Sequence, residues 1–290
     1  MKLLTFSVGG KPRPGALRED RVVDLAAAGL PVGPHGDLLE IVRAGEAALR
    51  KARAALKSAR AKSYPLAKVK VRAPIAAPSK IVAVGLNYID HCKEANLPVP
   101  TEPVLFSKFP NSVCGPYDDL SWPASLTSQV DYEVELGVVI GRRARDVAEK
   151  DALRYVFGYT VVNDVSARDL QFAGAKQWDR GKSLDTFCPY GPYIVTRDEI
   201  PDPQTLDVRT VLNGQVMQSS NTSNMIFGVA KLVSYISQGT TLVPGDLIPT
   251  GTPFGVGFSR NPPVYLKDGD VCECEVGGVG AIRNRVRLSR

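Results

Sequence analysis

Two apolar segments of the chain carry acidic residues where a hydrophobic core ordinarily holds none. Residues 131–141 include Glu133 and Glu135, and residues 159–166 include Asp164. Both segments are rich in β-branched residues, which predicts strands. Because residues i and i+2 of a strand project to the same face, the two glutamates are expected to point together.

Three carboxylates in apolar surroundings repel one another and lose hydration unless a cation neutralises them. Hard divalent cations such as Mg²⁺ prefer sites built from oxygen ligands. The alternative is that both glutamates lie on the solvated face of an amphipathic strand. The pattern therefore predicts a divalent-metal site only if other residues of the chain supply matching chemistry.

The charge distribution favours a small anionic ligand over nucleic acid. The net charge is +6, and much of the basic excess lies in residues 43–72 and, near the chain end, at Arg283, Arg285, Arg287 and Arg290. The first cluster falls on an amphipathic helix without interleaved aromatic residues, so we expect a solvated helix face and no nucleic-acid partner. No run of about 18 apolar residues occurs, so no membrane span is expected.

Cysteine and histidine usage narrows the compartment and the metal. Five cysteines, an odd number with scattered spacing, indicate a reducing compartment. A cytoplasmic location is expected, with the mitochondrial matrix as the alternative for a eukaryotic chain, since no presequence is visible. Two histidines, His35 and His91, are too few for a histidine-rich zinc site.

The chain divides into two parts of different character. Residues 1–74 predict a small N-terminal α+β domain, in which a hairpin precedes a helix running from Asp37 to about residue 61. Asp37 and Glu40 resemble a capping box at the start of that helix. Residues 75–290 predict a strand-rich α+β domain with inserted helices. Its strands are expected at 80–85, 103–106, 132–140, 156–163, 191–195, 206–213, 246–250 and 271–276, and its helices at 88–95, 148–155, 166–172 and 226–238.

A histidine and a glutamate are paired on the first of these helices. His91 and Glu94 lie three residues apart, so on a helix they share one face. A carboxylate beside an imidazole orients the ring and supports its protonated form, an arrangement typical of general bases. The alternative is an ordinary surface pair. Residues 96–100 predict a mobile loop suited to a lid.

Several basic and polar residues are candidates for contact with a reacting anion. Lys182, expected after a loop and just before a strand, and Lys108 are candidates to neutralise an enolate or oxyanion. Arg168 and Gln171, on the helix expected after Asp164, are candidates to hold a substrate carboxylate. For the lysines the alternative is a surface position, and for Arg168 it is an ion pair with nearby carboxylates.

A glycine-rich turn, Thr250-Gly-Thr-Pro-Phe-Gly-Val-Gly, follows another predicted strand. The backbone N–H groups of such a turn, at Gly251 and Thr252, are candidates to receive a carboxylate. Glycines that simply permit a tight turn are the alternative.

Together these segments resemble the fumarylacetoacetate hydrolase family over roughly residues 80–285. Each segment alone is common, whereas the set in this order and spacing is specific. The segments are Gly85-Leu-Asn-Tyr-Ile-Asp-His, Glu102-Pro-Val-Leu-Phe-Ser-Lys, Asp131-Tyr-Glu-Val-Glu-Leu-Gly-Val-Val-Ile-Gly, Asn163-Asp-Val-Ser-Ala-Arg-Asp-Leu-Gln, Gly181-Lys-Ser and Thr250-Gly-Thr-Pro. The type 2 domain-containing branch of the family is the most similar, through His91-Cys-Lys-Glu, Pro98-Val-Pro, Val113-Cys-Gly-Pro-Tyr-Asp, Lys176-Gln-Trp, Asp185-Thr-Phe-Cys-Pro and Gln218-Ser-Ser-Asn-Thr.

The resemblance implies a fold, a metal and roles for the candidate residues. The implied fold is a mixed β-sandwich roll with a small appended N-terminal domain, assembled as a homodimer. A dyad of His91 and Glu94 would lie on a lid, with Lys182 at the reacting centre. The implied ligands of a Mg²⁺ or Mn²⁺ ion are Glu133, Glu135 and Asp164.

The implied activity is that of a divalent-metal-dependent enzyme acting on small enolisable 2-oxo acids or diacids through a metal-bound enolate. The type 2 branch is associated with oxaloacetate enol–keto tautomerisation, which is the favoured reaction. The alternatives are C–C hydrolysis of acylpyruvates or fumarylpyruvate and decarboxylation of oxaloacetate. In all of these His91 would move a proton or activate water while Lys182 stabilises the enolate. A non-catalytic binding protein with the same fold is the hypothesis from another class.

Overall fold

The computed structural model describes residues 1–94, 96, 98–174 and 177–289. The last residue of the helix expected at 88–95, one residue of the expected lid at 96–100, Lys176 of the branch motif and Arg290 of the basic chain end therefore lie outside the described residues. Within them the fold is strand-rich α+β, as expected. None of the helices described has the length and apolar character needed to cross a membrane.

Short strands dominate the structure. The strands are β1 (Lys2–Val8), β2 (Lys11–Arg18), β3 (Arg21–Asp24), β4 (Ser63–Pro65), β5 (Lys70–Arg72), β6 (Val82–Gly85), β7 (Val104–Ser107), β8 (Val113–Cys114), β9 (Val130–Asp131), β10 (Val134–Ile140), β11 (Val156–Asn163), β12 (Ser166–Ala167), β13 (Cys188–Thr196), β14 (Asp207–Leu212), β15 (Gln215–Asn221), β16 (Leu247–Pro249), β17 (Val271–Val276) and β18 (Gly280–Arg285). The α-helices are α1 (Leu39–Ala44), α2 (Glu46–Lys57), α3 (Ile89–Glu94), α4 (Arg168–Phe172), α5 (Asp179–Lys182) and α6 (Val229–Ser237).

One ten-stranded sheet joins the two parts of the chain. Its order is β16-β10-β11-β13-β1-β2-β3-β4, with β5 paired to β1 and β8 paired to β13. The pairing of β8 with β13 is parallel. The first strand pairs antiparallel with β13, Lys2 opposite Val195, so the N-terminal segment extends the same sheet. The division of the chain at residue 74 stays a prediction.

Alternating side chains on the central strands build a core on each face of the large sheet. On β10, Leu136 and Val138 face a core shared with the second sheet, whose order is β15-β14-β17-β18. Val139 of the same strand faces the opposite core, which α1 and α2 cover with residues such as Ile41 and Leu49. This period of two is the physical basis of the layered architecture.

The N-terminal helix expected as one element is two. Gly45, with a φ of 56°, lies between α1 and α2 in the left-handed region that glycine tolerates, and it breaks the helix there. The expected capping box is absent at this start, because the N-cap is Leu38 and makes no side-chain capping bond. Asp37 Oδ1 instead accepts from Leu39 N at 3.2 Å, and Glu40 pairs with Arg43.

Several other elements differ from expectation. Ser166 and Ala167, expected to begin a helix, form strand β12, and the helix expected at 226–238 begins at Val229. The strand expected at 132–140 begins at Val134, because Glu133 N donates to the Asn163 side chain rather than to a neighbouring strand. The segment expected as a helix at 148–155 adopts the tighter 3₁₀ form, at Glu149–Tyr155, as short connectors often do. Lys182 ends the short helix α5 and does not directly precede a strand.

One buried tyrosine reinforces the connection between β13 and the segment that follows the N-terminal strands. Tyr190 of β13 is 1% exposed, and its hydroxyl accepts from Ile75 N at 2.8 Å and donates to Ile75 O. We expect Tyr190→Phe to lower the free energy of unfolding by about 1–3 kcal/mol, because it leaves a buried backbone N–H and carbonyl unsatisfied. Urea unfolding measures the change. Tyr117→Phe, on a half-exposed ring, is the control, and an equal loss in both variants would contradict the argument.

Candidate active site

Three carboxylates meet at one end of the central strands. Glu133 directly precedes β10, Glu135 is its second residue, and Asp164 directly follows β11. The two strands are antiparallel neighbours with Val134 opposite Asn163, so the start of one and the end of the other share an edge of the sheet. One carboxylate oxygen from each acid lies within 4.8 Å of the others, and all three residues are buried. The solvated-face alternative is therefore excluded.

Backbone and amide groups fix these carboxylates in place. Glu133 N donates to Asn163 Oδ1 at 2.9 Å, and Asp164 N donates to Glu133 O at 2.9 Å. Glu135 Oε2 accepts from Gly251 N at 2.8 Å. The N–H group of the glycine-rich turn that was expected to receive a substrate carboxylate thus already donates to a carboxylate of the protein.

Two buried lysines contact the acidic cluster. Lys182 Nζ lies 2.8 Å from both Glu133 Oε2 and Asp164 Oδ2. Lys108 Nζ lies 2.5 Å from Asp164 Oδ1 and also donates to Val165 O at 3.3 Å. The lysines are 2% and 1% exposed, so the surface alternative is wrong for both. Burial alone would lower the pKa of Lys182, but the charges of Asp164 and Glu133 raise it, so the amine stays protonated.

The Arg168 guanidinium is held by protein groups on three sides. Its Nε and Nη2 donate to Asp131 Oδ2 at 2.9 and 2.7 Å, Nη2 also lies 2.7 Å from Glu133 Oε1, and Nη1 donates to Gln171 Oε1 at 3.0 Å. Its plane lies over the Phe258 ring at 4.3 Å. Arg168 thus forms ion pairs with nearby carboxylates, which was the alternative to its binding a substrate. A contact of Arg168 or Gln171 with a substrate carboxylate stays a prediction.

The neighbouring lysine and arginine lower the pKa of Glu133, whereas the pKa of Glu135 is raised. Burial opposes ionisation of Glu133, but Lys182 and Arg168 outweigh it and lower the pKa of Glu133 to about 2. Burial, together with the charges of Asp164 and Glu133, raises the pKa of Glu135 well above its ordinary value. Glu135 therefore needs either a proton or a further cation. A set of three carboxylate oxygens fits a hard divalent ion, which would satisfy that need.

The histidine and glutamate expected to pair do face one another. His91 Nδ1 lies 3.4 Å from Glu94 Oε2, a long contact for a hydrogen bond, and His91 is 5% exposed. Both Glu94 oxygens accept from Gly255 N, at 3.0 and 3.1 Å. The carboxylate thus ties α3 to the glycine-rich turn while it faces the imidazole, and the pair is more enclosed than an ordinary surface pair.

A cavity of about 70 Å³ lies where these groups converge. It has room for about two water molecules, so binding of a four-carbon acid requires the surrounding side chains to move. Its polar and charged lining residues are His91, Glu133, Glu135, Arg168, Gln171, Lys182 and Thr252. Four predicted site residues do not line it: Glu94, Lys108, Asp164 and Gly251. Glu94 contacts it through His91, Lys108 and Asp164 contact one another, and the Gly251 N–H faces Glu135.

The Thr252 side chain links the glycine-rich turn to β10. Its hydroxyl donates to Val134 O at 3.0 Å and accepts from Gln218 Nε2 at 2.9 Å. The Gln218 amide oxygen in turn accepts from Val134 N at 3.1 Å. The side chain of Thr252 therefore holds the turn against β10, whereas a contact of its backbone with a substrate stays a prediction.

Sequence reasoning missed two residues that shape the site. Asp131 anchors Arg168 and accepts from the backbone N–H groups of Gly257 and Phe258 at 2.7 and 3.0 Å. Its position two residues before Glu133 was the available signal. Trp178 was missed because its contact with β6 is long-range in sequence. A Cβ at Gly85 would lie 2.3 Å from the Trp178 ring, so only glycine lets that ring close the cavity wall.

The fold and the site together define a strand-rich enzyme with a buried acidic cluster beside an acid–base pair. The family model described as "Fumarylacetoacetate (FAA) hydrolase C-terminal" matches residues 80–287. The chain belongs to the fumarylacetoacetate hydrolase family, as its motifs indicate.

Curated relatives share most of the chain. The protein named "Oxaloacetate tautomerase FAHD2A, mitochondrial" from Bos taurus is 48% identical over 250 residues, which is 86% of this chain and 79% of the relative. The protein named "Oxaloacetate tautomerase fahd2, mitochondrial" from Xenopus laevis is 44% identical over 295 residues, 99% of this chain and 90% of the relative.

Solved structures show the same fold. A fumarylacetoacetate hydrolase from Exiguobacterium antarcticum is 39% identical with a TM-score of 0.88, and all of each chain is covered. A maleylpyruvate hydrolase from Sphingobium, in complex with manganese(II) and pyruvate, is 31% identical with a TM-score of 0.84, again over all of each chain. The manganese of that relative agrees with the oxygen-ligand chemistry of the acidic cluster.

The uneven charge balance predicts an unusual response to Glu135→Gln. We expect Mg²⁺ or Mn²⁺ to raise the melting temperature of the metal-stripped wild type, because an ion that binds the folded state stabilises it. The variant should lose this rise. Its own metal-free melting temperature should equal or exceed that of the wild type, because the substitution removes a buried repulsion.

Differential scanning fluorimetry measures both effects. Glu149→Gln, at an exposed position, is the matched control and should respond to the metals as the wild type does. A metal-induced rise of equal size in the Glu135 variant would count against a metal at this cluster.

Proposed function

We propose that this enzyme interconverts the enol and keto forms of a small 2-oxo dicarboxylate, with oxaloacetate as the best candidate. The observation that carries the proposal is the convergence of two members of the acidic cluster, Glu133 and Glu135, with a buried lysine and a histidine on one small cavity. The names of the bovine and Xenopus relatives support the same substrate. The positive net charge favours an anionic ligand.

The residues that would hold a divalent cation, Mg²⁺ or Mn²⁺, are Glu133, Glu135 and Asp164. When bound, the ion supplies Lewis-acid polarisation of a 2-oxo group and so lowers the cost of removing a proton from the adjacent carbon. Lys108 and Arg168 would act by positioning, because Lys108 holds Asp164 and Arg168 holds Glu133 through direct contacts. Gln171 and Thr252 would shape the wall against which the substrate lies.

His91 would carry the proton between the carbon and the solvent side of the site. With Nδ1 facing Glu94, its Nε2 is the nitrogen left to exchange a proton with the substrate. Glu94 would orient the ring and stabilise its protonated form. Lys182, protonated and on the cavity wall, would donate a hydrogen bond to the oxygen on which the enolate charge develops.

Bond cleavage is the second candidate. The maleylpyruvate hydrolase from Sphingobium has the same fold, and its structure holds pyruvate, a product of such cleavage. Acylpyruvate or fumarylpyruvate hydrolysis, or decarboxylation of oxaloacetate, would use the same enolate, with His91 activating water in the hydrolytic case. The tautomerase remains the first candidate because the bovine and Xenopus relatives carry that name.

Assembly and location belong to the same proposal. A homodimer is supported by the family resemblance and by the exposed side chains of Leu105, in β7, and Phe109, two residues after that strand. A reducing compartment is supported by the five free cysteines. The cytoplasm and the mitochondrial matrix both satisfy that condition, and the bovine and Xenopus relatives are named as mitochondrial.

An assay with two channels tests the reaction. EDTA-stripped protein receives Mg²⁺, one channel follows the ultraviolet decay of enol-oxaloacetate, and the other follows pyruvate formation from oxaloacetate and acetylpyruvate. We expect Mg²⁺-dependent enol decay without pyruvate above the protein-free rate. His91→Ala should slow enol decay by about 10²-fold or more, because a positioned general base contributes on that order.

Lys93→Ala, an exposed change on the same helix α3, is the matched control and should keep the wild-type rate. Pyruvate formation that His91→Ala abolishes would replace the tautomerase by the cleavage reaction. Enol decay that is independent of Mg²⁺ and of His91 would remove both candidates.

A further inference from the structure

A second pocket, of about 350 Å³, lies at the opposite end of the central strands from the acidic cluster. It lies where α1 meets α2, where β10 and β13 end, and where β11 begins. We call it the arginine pocket after its five guanidinium side chains, Arg43, Arg53, Arg142, Arg154 and Arg197. Its acidic lining residues are Glu46 and Asp198. The lining therefore has an excess of positive charge.

Arg53 forms ion pairs with both acidic residues of the pocket lining. Arg53 Nη1 lies 2.8 Å from Glu46 Oε1, and its Nη2 lies 3.1 Å from Asp198 Oδ2. Among the described ion pairs, none joins another guanidinium group of the pocket to Glu46 or Asp198.

The remaining arginines differ in their pairing. Arg43 and Arg154 each pair with a carboxylate outside the pocket lining, on Glu40 and Asp151. Arg197 Nη1 donates to a backbone carbonyl, and within the part of the chain described neither Arg197 nor Arg142 pairs with a carboxylate. Two exposed guanidinium groups thus face the pocket with uncompensated charge.

The floor and one rim of the pocket add to its suitability for an organic anion. Leu49, Val156 and Phe157 give an apolar floor. Gly45 and Glu46 bring the N-terminal end of the 12-residue helix α2 to the rim, where the helix dipole favours negative charge. The volume lies within the range of sites that hold small molecules.

We propose that the arginine pocket binds a compact multivalent anion bearing phosphate or carboxylate groups. Planar guanidinium groups bind phosphate and carboxylate alike through paired hydrogen bonds, so the pocket suits a ligand that bears either group. The ligand is separate from the substrate of the acidic cluster. Glu135 in β10 and Gly141 of the pocket are six positions apart in sequence, a span of about 20 Å along an extended strand.

Such a ligand would connect parts of the chain that are distant in sequence. The pocket takes Arg43 from the N-terminal segment, Arg142 from the end of β10 and Arg197 from the end of β13. An anion that contacts all three arginines would hold the N-terminal helices against the ends of the central strands of the large sheet. Binding therefore raises the melting temperature without any contact with the acidic cluster.

Isothermal titration of the full-length protein, dialysed free of added divalent metal at 0.15 M NaCl, tests the site. The probes are sodium pyrophosphate and sodium citrate at matched ionic strength. We expect saturable binding of at least one probe, with a Kd below about 1 mM, and a parallel rise in melting temperature. A response to pyrophosphate alone assigns a phosphate-bearing ligand, and a response to citrate alone assigns a polycarboxylate.

Two neighbouring arginines provide a matched pair of variants. Arg142→Gln removes an exposed guanidinium that lines the pocket, and Arg143→Gln removes the adjacent exposed guanidinium that does not. We expect at least a tenfold weakening in the first and none in the second, with Arg197→Gln as an independent variant that also weakens binding. The ligand-free melting temperature of each variant verifies that it folds.

Three results would overturn the proposal. The first is the absence of saturable binding by either probe. The second is wild-type affinity in both Arg142→Gln and Arg197→Gln, which would place the anion elsewhere, including at the acidic cluster. The third is an equal loss in Arg142→Gln and Arg143→Gln, which would indicate diffuse surface charge in place of a pocket.

Discussion

The mutual repulsion of Glu133, Glu135 and Asp164 is the constraint to which the rest of the site responds. Three buried carboxylates within 4.8 Å of one another are unfavourable without opposite charge. The fold supplies that charge through the contacts of Lys182 and Arg168, yet these leave Glu135 with a raised pKa. Lysine and arginine side chains thus pair with Glu133 and Asp164, whereas among the described ion pairs none involves Glu135.

The sheet explains why such a cluster can exist in a folded core. Strands β10 and β11 carry apolar side chains to both faces along their length, and the acids lie at one end of the pair, within two residues of the last paired positions, Val134 and Asn163. Glu133 lies directly before the regular strand, and its backbone N–H donates to the Asn163 side chain. The packed middle of the sheet therefore supplies the stability, while its edge holds the charged groups.

The sequence predicts the parts of this arrangement that depend on local spacing. The i, i+2 and i, i+3 periods place Glu133 beside Glu135 and His91 beside Glu94, and the ordered set of motifs identifies the family. Local spacing does not reveal that Lys108 lies behind Asp164, which is 56 residues away in the chain. The break of the N-terminal helix at Gly45 was open to prediction, because glycine weakens a helix interior.

Tautomerisation and bond cleavage share an enolate, and the site meets the needs of that shared intermediate. Tautomerisation needs one substrate and one group that exchanges a proton, and His91 on the cavity wall meets that need. Hydrolysis also needs a water molecule held against a distal carbonyl, and the cavity has to widen to admit the substrate of either reaction. The buried Lys182 ammonium on the same wall stabilises the developing enolate charge in both cases. The reaction is therefore decided by what faces the carbon beyond the enolate, because the groups that form the enolate are common to both.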